Sequence, residues 1–148
     1  MSDLLLKNVA CVVTCDDADR VLRNADVYIR ENRIEAIGAA PKIRAERTID
    51  GSDLLCYPGL INTHHHLYQQ FSRNLPQVQN LELFDWLRAL YEIWRNLDET
   101  VVRFSSLTGM AELMKNGCTT CFDHHYVFPN GCGDLIGAQL EAARTLGM

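Results

Sequence analysis

The chain has 148 residues, a formal net charge of −5 and 47% hydrophobic residues, with no long run of like charges. The absence of a basic cluster or of aromatic–basic interleaving argues against nucleic-acid binding, and no apolar run approaches the length of a membrane span. The six cysteines do not read as a disulfide framework. Cys11 and Cys15 fall on one expected strand, where four residues span about 13 Å, too far for a bridge. Cys118-Thr119-Thr120-Cys121 is formally C-x-x-C, but two thiols three apart in a strand face opposite sides. Reduced cysteines, and an N-terminus with an early acid and too short an apolar run for a signal peptide, make a cytoplasmic location the expectation.

In chain order, residues 1–57 read as β. Leu4 to Thr14 alternates around Leu4, Leu6, Val9 and Val12-Val13. Asp26–Arg30 and Arg33–Gly38 flank the turn pair Glu31-Asn32 and read as a hairpin. Arg47–Asp50 and Leu54–Tyr57 flank a second turn, Gly51-Ser52-Asp53. None of these strands carries a convergent set of acids, bases or ligands, so their expected role is structural. From Pro58 to Met148 the pattern changes. Leu60-Ile61 begins a strand, and Pro76 to Asn80 reads as a loop. Leu83, Phe84, Leu87, Leu90, Tyr91 and Trp94 follow helical spacing. Asp98 is an N-cap with Glu99 in the first turn; that helix runs to about Asn116, and Gly117 ends it. Cys118 to Asp123 is a second strand, and Asp134 to Leu146 a third helix with Gly147 at its C-cap.

The strand that follows Pro58-Gly59 ends in three consecutive histidines, His64-His65-His66. Strand parity puts His64 and His66 on one side and turns His65 the other way, toward packing. Two imidazoles converging at a strand end are half a metal site, and a divalent metal there makes water a nucleophile at neutral pH. Asn62 shares their face and is a candidate supporting residue. Gln70, four residues beyond His66, has an amide able to donate and accept along a ring edge; Gln69 is its competitor if the register shifts by one. Trp86 is either an indole wall for a planar substrate or a helix-packing residue. Asp123-His124-His125 closes the second strand, with His124 the preferred pocket-lining or supporting residue.

The stretch Pro58-Gly59-Leu60-Ile61-Asn62-Thr63-His64-His65-His66-Leu67-Tyr68-Gln69 resembles the amidohydrolase superfamily of metal-dependent hydrolases. So do Glu82–Leu87, Gly117-Cys118-Thr119-Thr120 and Asp123–Gly131. Within that superfamily the resemblance is to the branch of cytosine and guanine deaminases and s-triazine chlorohydrolases, above all to the 8-oxoguanine deaminases, and it runs nearly the whole chain. The resemblance implies an α/β fold: the N-terminal portion of a metal-dependent (β/α)8 TIM barrel in residues 58–148, with an incomplete β-sandwich portion in residues 1–57. A barrel of this kind takes roughly 250 residues, so the chain reads as truncated. The further metal ligands and the proton-handling residues, a His, a second His, a Glu and an Asp on later strands, are expected beyond Met148. It also implies His64 and His66 as metal ligands, one Zn2+ per subunit with another divalent metal such as iron as the alternative, and a Gln of this motif on the substrate.

The expected activity is hydrolytic deamination of an aminated purine such as 8-oxoguanine, by a homo-oligomer when intact and not by the isolated 148-residue chain. The alternatives are an s-triazine or other heterocycle hydrolase releasing chloride or an amine and, in another class, a small non-catalytic metal-binding module. The partner in the enzyme readings is a small heterocyclic molecule, with no nucleic acid and no membrane.

Overall fold

The structure of the chain, a computed structural model, describes residues 3–39 and 43–148. It divides into two compact units, the first ending at Pro58 and the second spanning Gly59–Met148. The first unit is one sheet. Strands β1 (Asp3–Val13), β2 (Val21–Arg30), β3 (Arg33–Gly38) and β4 (Arg47–Asp50) lie in the order β3-β2-β1-β4, and β5 (Leu55–Cys56) also pairs with β1. Antiparallel β1 and β2 slip register between Leu6 and Val9, where Asn8 takes a positive φ of 55°. The Asn8 N–H donates to Asp26 Oδ1 at 2.7 Å, so the slip is hydrogen-bonded rather than open. Val9, Val12, Ala25 and Val27 form a buried cluster, in which Ala25 and Val27 share one side of β2 by the period-2 alternation.

Three details differ from the sequence expectation. The strand β1 stops at Val13, and Cys15 lies past it with φ 49°; Cys11 and Cys15 therefore do not share a strand, although all six cysteines are free. The strand β2 begins at Val21 rather than Asp26, because Arg23 and Asn24 interrupt the alternation while the backbone stays paired with β1. The expected strand Leu54–Tyr57 shortens to Leu55–Cys56.

The second unit is a βαβ arrangement followed by a helix. Strand β6 (Leu60–His65) runs parallel to β7 (Cys118–Asp123), with α1 (Leu83–Trp94) and α2 (Glu99–Lys115) between them in sequence and α3 (Leu135–Leu146) after β7. Parallel strands need such a crossover. A side chain at Gly59 would collide with Thr119, so glycine permits the close approach of the two strand starts. Gly117, with φ +80°, reverses the chain between α2 and β7. The core gathers Tyr68, Leu90, Trp94, Val102 and Leu135. No helix among the described residues is long and apolar enough to cross a membrane.

Two short 3-10 turns, Leu67–Ser72 and Pro76–Val78, occupy what sequence periodicity leaves as connection. The first is buried: Leu67, Tyr68, Gln70 and Ser72 face inward, and Trp94 Nε1 donates to Ser72 Oγ at 3.0 Å. The helix α2 begins as its sequence requires. Asp98 Oδ1 accepts the Val101 N–H at 2.8 Å, satisfying one of the orphan amides of the first turn. Asp98→Ala is expected to lower stability by about 1 kcal/mol, read as a shift of the chemical-denaturation midpoint. An unchanged midpoint would show that water satisfies the amide equally well.

Candidate metal and substrate site

The site is built at the C-terminal end of β6. His64 Nε2 and His66 Nε2 stand 3.1 Å apart, with the ring planes at 84°. His66 Nδ1 lies 2.8 Å from the His124 carbonyl oxygen. A carbonyl only accepts, so Nδ1 carries a proton, and in the neutral tautomer this selects, the lone pair lies on Nε2. His64 then either donates its own Nε2–H to that lone pair or shares a cation with it. Two Zn–N bonds of about 2.0–2.1 Å at a tetrahedral angle place their nitrogens about 3.3 Å apart. The observed 3.1 Å spacing fits a shared cation. Among the described residues no group of three or more His, Cys, Asp and Glu side chains is arranged to hold a metal ion.

His64 is further held by its surroundings. Asn62 Oδ1 accepts the His64 backbone N–H at 3.1 Å, so Asn62 acts on the backbone of His64 and not on its ring. The His124 ring stacks on His64 at 4.3 Å between centroids and 25° between planes. The imidazole of His124 is thus a packing surface, while its carbonyl is the group that orients His66. His65 is half-buried with Nδ1 unpartnered, and burial pushes its imidazole below the ordinary histidine range, against the opposing field of Asp123. His125 donates Nε2–H to the Val127 carbonyl at 2.9 Å and is also pushed down by burial. Both rings are therefore held toward the neutral form.

The two glutamines part company. In a 3-10 turn, residues three apart eclipse one another. Leu67 and Gln70 share the face toward α2: a Cβ on Gly109 would lie 2.8 Å from Leu67 Cδ2 and 3.0 Å from Gln70 Nε2. Gln70 is buried there, with Oε1 unpartnered. His66 and Gln69 share the other face. Gln69 Nε2 donates to the Tyr68 hydroxyl at 3.1 Å and to the Tyr126 hydroxyl at 3.3 Å, and the Tyr126 ring stands edge-on to His66 at 5.2 Å. Gln69 thus bonds the tyrosine that stands edge-on to His66, while Gln70 faces α2. Burial drives the Tyr68 phenol well above the ordinary tyrosine range.

Trp86 is half-buried and packs edge-on against Trp94 at 5.6 Å. Trp94 in turn contacts Tyr68 at 5.3 Å and Tyr126 at 6.4 Å, so Trp86 stands one aromatic layer out from the tyrosines beside His66. Cys121 and Cys118 belong to β7; burial raises the Cys121 thiol to about 11, and the C-x-x-C pair has no part in the site. Sequence reasoning does not single out Tyr68 and Tyr126, and within Asp123-His124-His125 it prefers His124 to Asp123. Tyr68 lies in the turn two residues past His66, and the parallel pairing of β6 with β7 brings Asp123 and Tyr126 to the same end.

Comparison with known proteins follows the same lines. A family model described as the amidohydrolase family matches residues 55–148. The chain is 37% identical over 150 residues to the hydroxydechloroatrazine ethylaminohydrolase of Pseudomonas sp. (strain ADP), covering 93% of this chain and 31% of that protein. It is 35% identical over 151 residues to the 8-oxoguanine deaminase of Pseudomonas aeruginosa, covering 100% of this chain and 33% of that protein. Among solved structures, the atrazine chlorohydrolase of Arthrobacter aurescens TC1 complexed with zinc superposes with a TM-score of 0.90 at 33% identity, covering 98% of this chain and 34% of that one. The chain spans about a third of the length of the curated relatives it matches. Its α/β fold is that of the N-terminal portion of these TIM-barrel hydrolases. With a model matched over residues 55–148, most of its length, this chain belongs to the amidohydrolase family.

Proposed function

We propose that this sequence supplies part of the active site of a zinc-dependent aminohydrolase acting on an aminated heterocycle, with a purine such as 8-oxoguanine as the substrate class. The reaction adds water to the ring carbon that bears the exocyclic amine. The carbon–nitrogen bond then breaks, ammonia leaves and the ring keeps the oxygen. The observation that carries the reading is the His64–His66 Nε2 pair, with the His66 proton locked on Nδ1. Zinc bound there would supply a Lewis acid that lowers the pKa of water toward neutrality.

This chain's own residues have the other tasks. His64 and His66 hold the ligand nitrogens in place, and the stacked His124 ring keeps water off one face of His64. Gln69, fixed by two tyrosine hydroxyls, offers its amide oxygen to a ring N–H. The Tyr68–Tyr126–Trp94–Trp86 layer provides an apolar, edge-rich wall for a planar ring. The functional role expected at Gln70 passes on this reading to Gln69, and Trp86 is an outer wall residue.

A second reading keeps the fold and metal but releases an alkylamine or chloride from an s-triazine. It is favoured by the 37% identity to an ethylaminohydrolase. Family membership sets both above a small non-catalytic metal-binding module. The test is a product-release assay on the full-length protein with 8-oxoguanine, guanine, cytosine, an ethylamino-s-triazine and a chloro-s-triazine. Ammonia release fastest from a purine, lost on chelation and restored by zinc, is the expected result. Ethylamine or chloride release that outpaces ammonia moves the function to the second reading.

A further inference from the structure

The backbone just past the paired histidines is held from another strand. His66 sits at the N-cap of the 3-10 turn with φ −133° and ψ 80°, and its own side chain makes no cap. The cap comes from β7 instead: Asp123 Oδ1 accepts the Leu67 N–H at 2.6 Å. The next residue, His124, donates its N–H to the His65 carbonyl at 2.7 Å and accepts the His66 Nδ1–H on its own carbonyl. Residues 123 and 124 thus clasp residues 65–67 at three points. The second carboxylate oxygen, Asp123 Oδ2, accepts from Gln139 Nε2 of α3 at 2.8 Å, and Gln139 is buried.

We propose that Asp123, itself held by Gln139, is the positioning residue for His66: it fixes the angle at which the chain leaves β6 and so the direction of His66 Nε2 toward His64. The proposal rests on the reading of His64 and His66 as metal ligands. A carboxylate accepting a backbone N–H makes a charge-assisted bond, stronger than a neutral one. Leu67 is 1% exposed, so water cannot replace that acceptor. Without Asp123, the Leu67 N–H and the Gln139 amide are both left unpaired. The backbone that carries His66 is then no longer fixed past β6, and the ring can swing about its bond to the His124 carbonyl. Partners behind a metal-ligating histidine typically contribute about 10–100-fold in metal affinity.

The experiment measures zinc affinity of the full-length protein by competition with a chromophoric chelator, together with the d–d absorption of the cobalt(II)-substituted form. Asp123→Ala is expected to weaken zinc binding about 10–100-fold and to change the cobalt spectrum. Asp123→Asn should restore most of the affinity. Its amide oxygen still accepts the Leu67 N–H, and Gln139 can turn its amide over to accept from the new NH2 group. Gln139→Leu leaves the Asp123–Leu67 bond but frees the carboxylate to rotate, giving a smaller loss in the same direction. Parental zinc affinity and an unchanged cobalt spectrum in Asp123→Ala overturn the proposal. If Asp123→Ala does not fold, parental values in Gln139→Leu overturn it equally. A wild-type protein that binds no zinc overturns the ligand reading first, and this proposal with it.

Discussion

His64→Ala or His66→Ala is expected to strip the metal from the full-length protein and abolish turnover, while His65→Ala leaves metal stoichiometry unchanged. The difference follows from strand parity at the end of β6. The Nε2 atoms of His64 and His66 meet at 3.1 Å, whereas His65 is half-buried with its Nδ1 unpartnered. His66→Ala carries a second cost, because it leaves the His124 carbonyl without its donor, about 1–3 kcal/mol if no water enters. His64→Ala leaves no carbonyl without its donor, since the residue is exposed and its ring stacks on His124. The two ligand variants should therefore match in metal loss and differ in melting temperature, with His66→Ala the lower. Elemental analysis and a thermal melt on the same samples read both quantities. Equal metal loss in His65→Ala would mean that the chain twists before His64 and that the faces are misassigned.

The parts of this site that can be read from sequence are those set by local periodicity. A period of two places His64 and His66 together, and the Asp98 cap and the Gly117 stop follow from the chemistry of helix ends. The parts that cannot be read depend on which strand lies beside which. The His124 carbonyl holds His66 only because β7 pairs with β6 in parallel, with His65 opposite Asp123. A backbone group leaves no trace in residue identity. Asp123 likewise looks like any polar strand end until its two oxygens are seen on Leu67 and Gln139. The choice between Gln69 and Gln70 stays open in the sequence for a different reason. Counting four residues from His66 assumes an α-like step, and the chain takes a 3-10 step of three, which no composition signal in Leu67–Ser72 announces.

That one-residue difference has a measurable consequence. Gln69→Ala is expected to reduce kcat/KM on the best ring substrate by roughly one to two powers of ten, equivalent to about 1–3 kcal/mol for an unpaired polar contact in the bound complex. Gln70→Ala should leave kcat/KM unchanged. Gln69 is held by two hydroxyl acceptors on the same side as His66, so its amide is preorganised and loses little freedom on binding. Gln70 is buried against Gly109 with an unpartnered Oε1; removing that oxygen relieves a desolvated polar atom, so stability should change little. Neither substitution touches His64 or His66, and zinc content should stay at the parental value in both. A substrate analogue lacking the contacted ring group should show a smaller penalty for Gln69→Ala, because an interaction that never forms cannot be lost. Steady-state kinetics on the two variants with the substrate and this analogue separate the possibilities. A loss confined to Gln70→Ala would mean that the turn rewinds to an α-like step on binding. Equal losses for substrate and analogue in Gln69→Ala would mean that Gln69 supports the tyrosine layer instead of reading the ring.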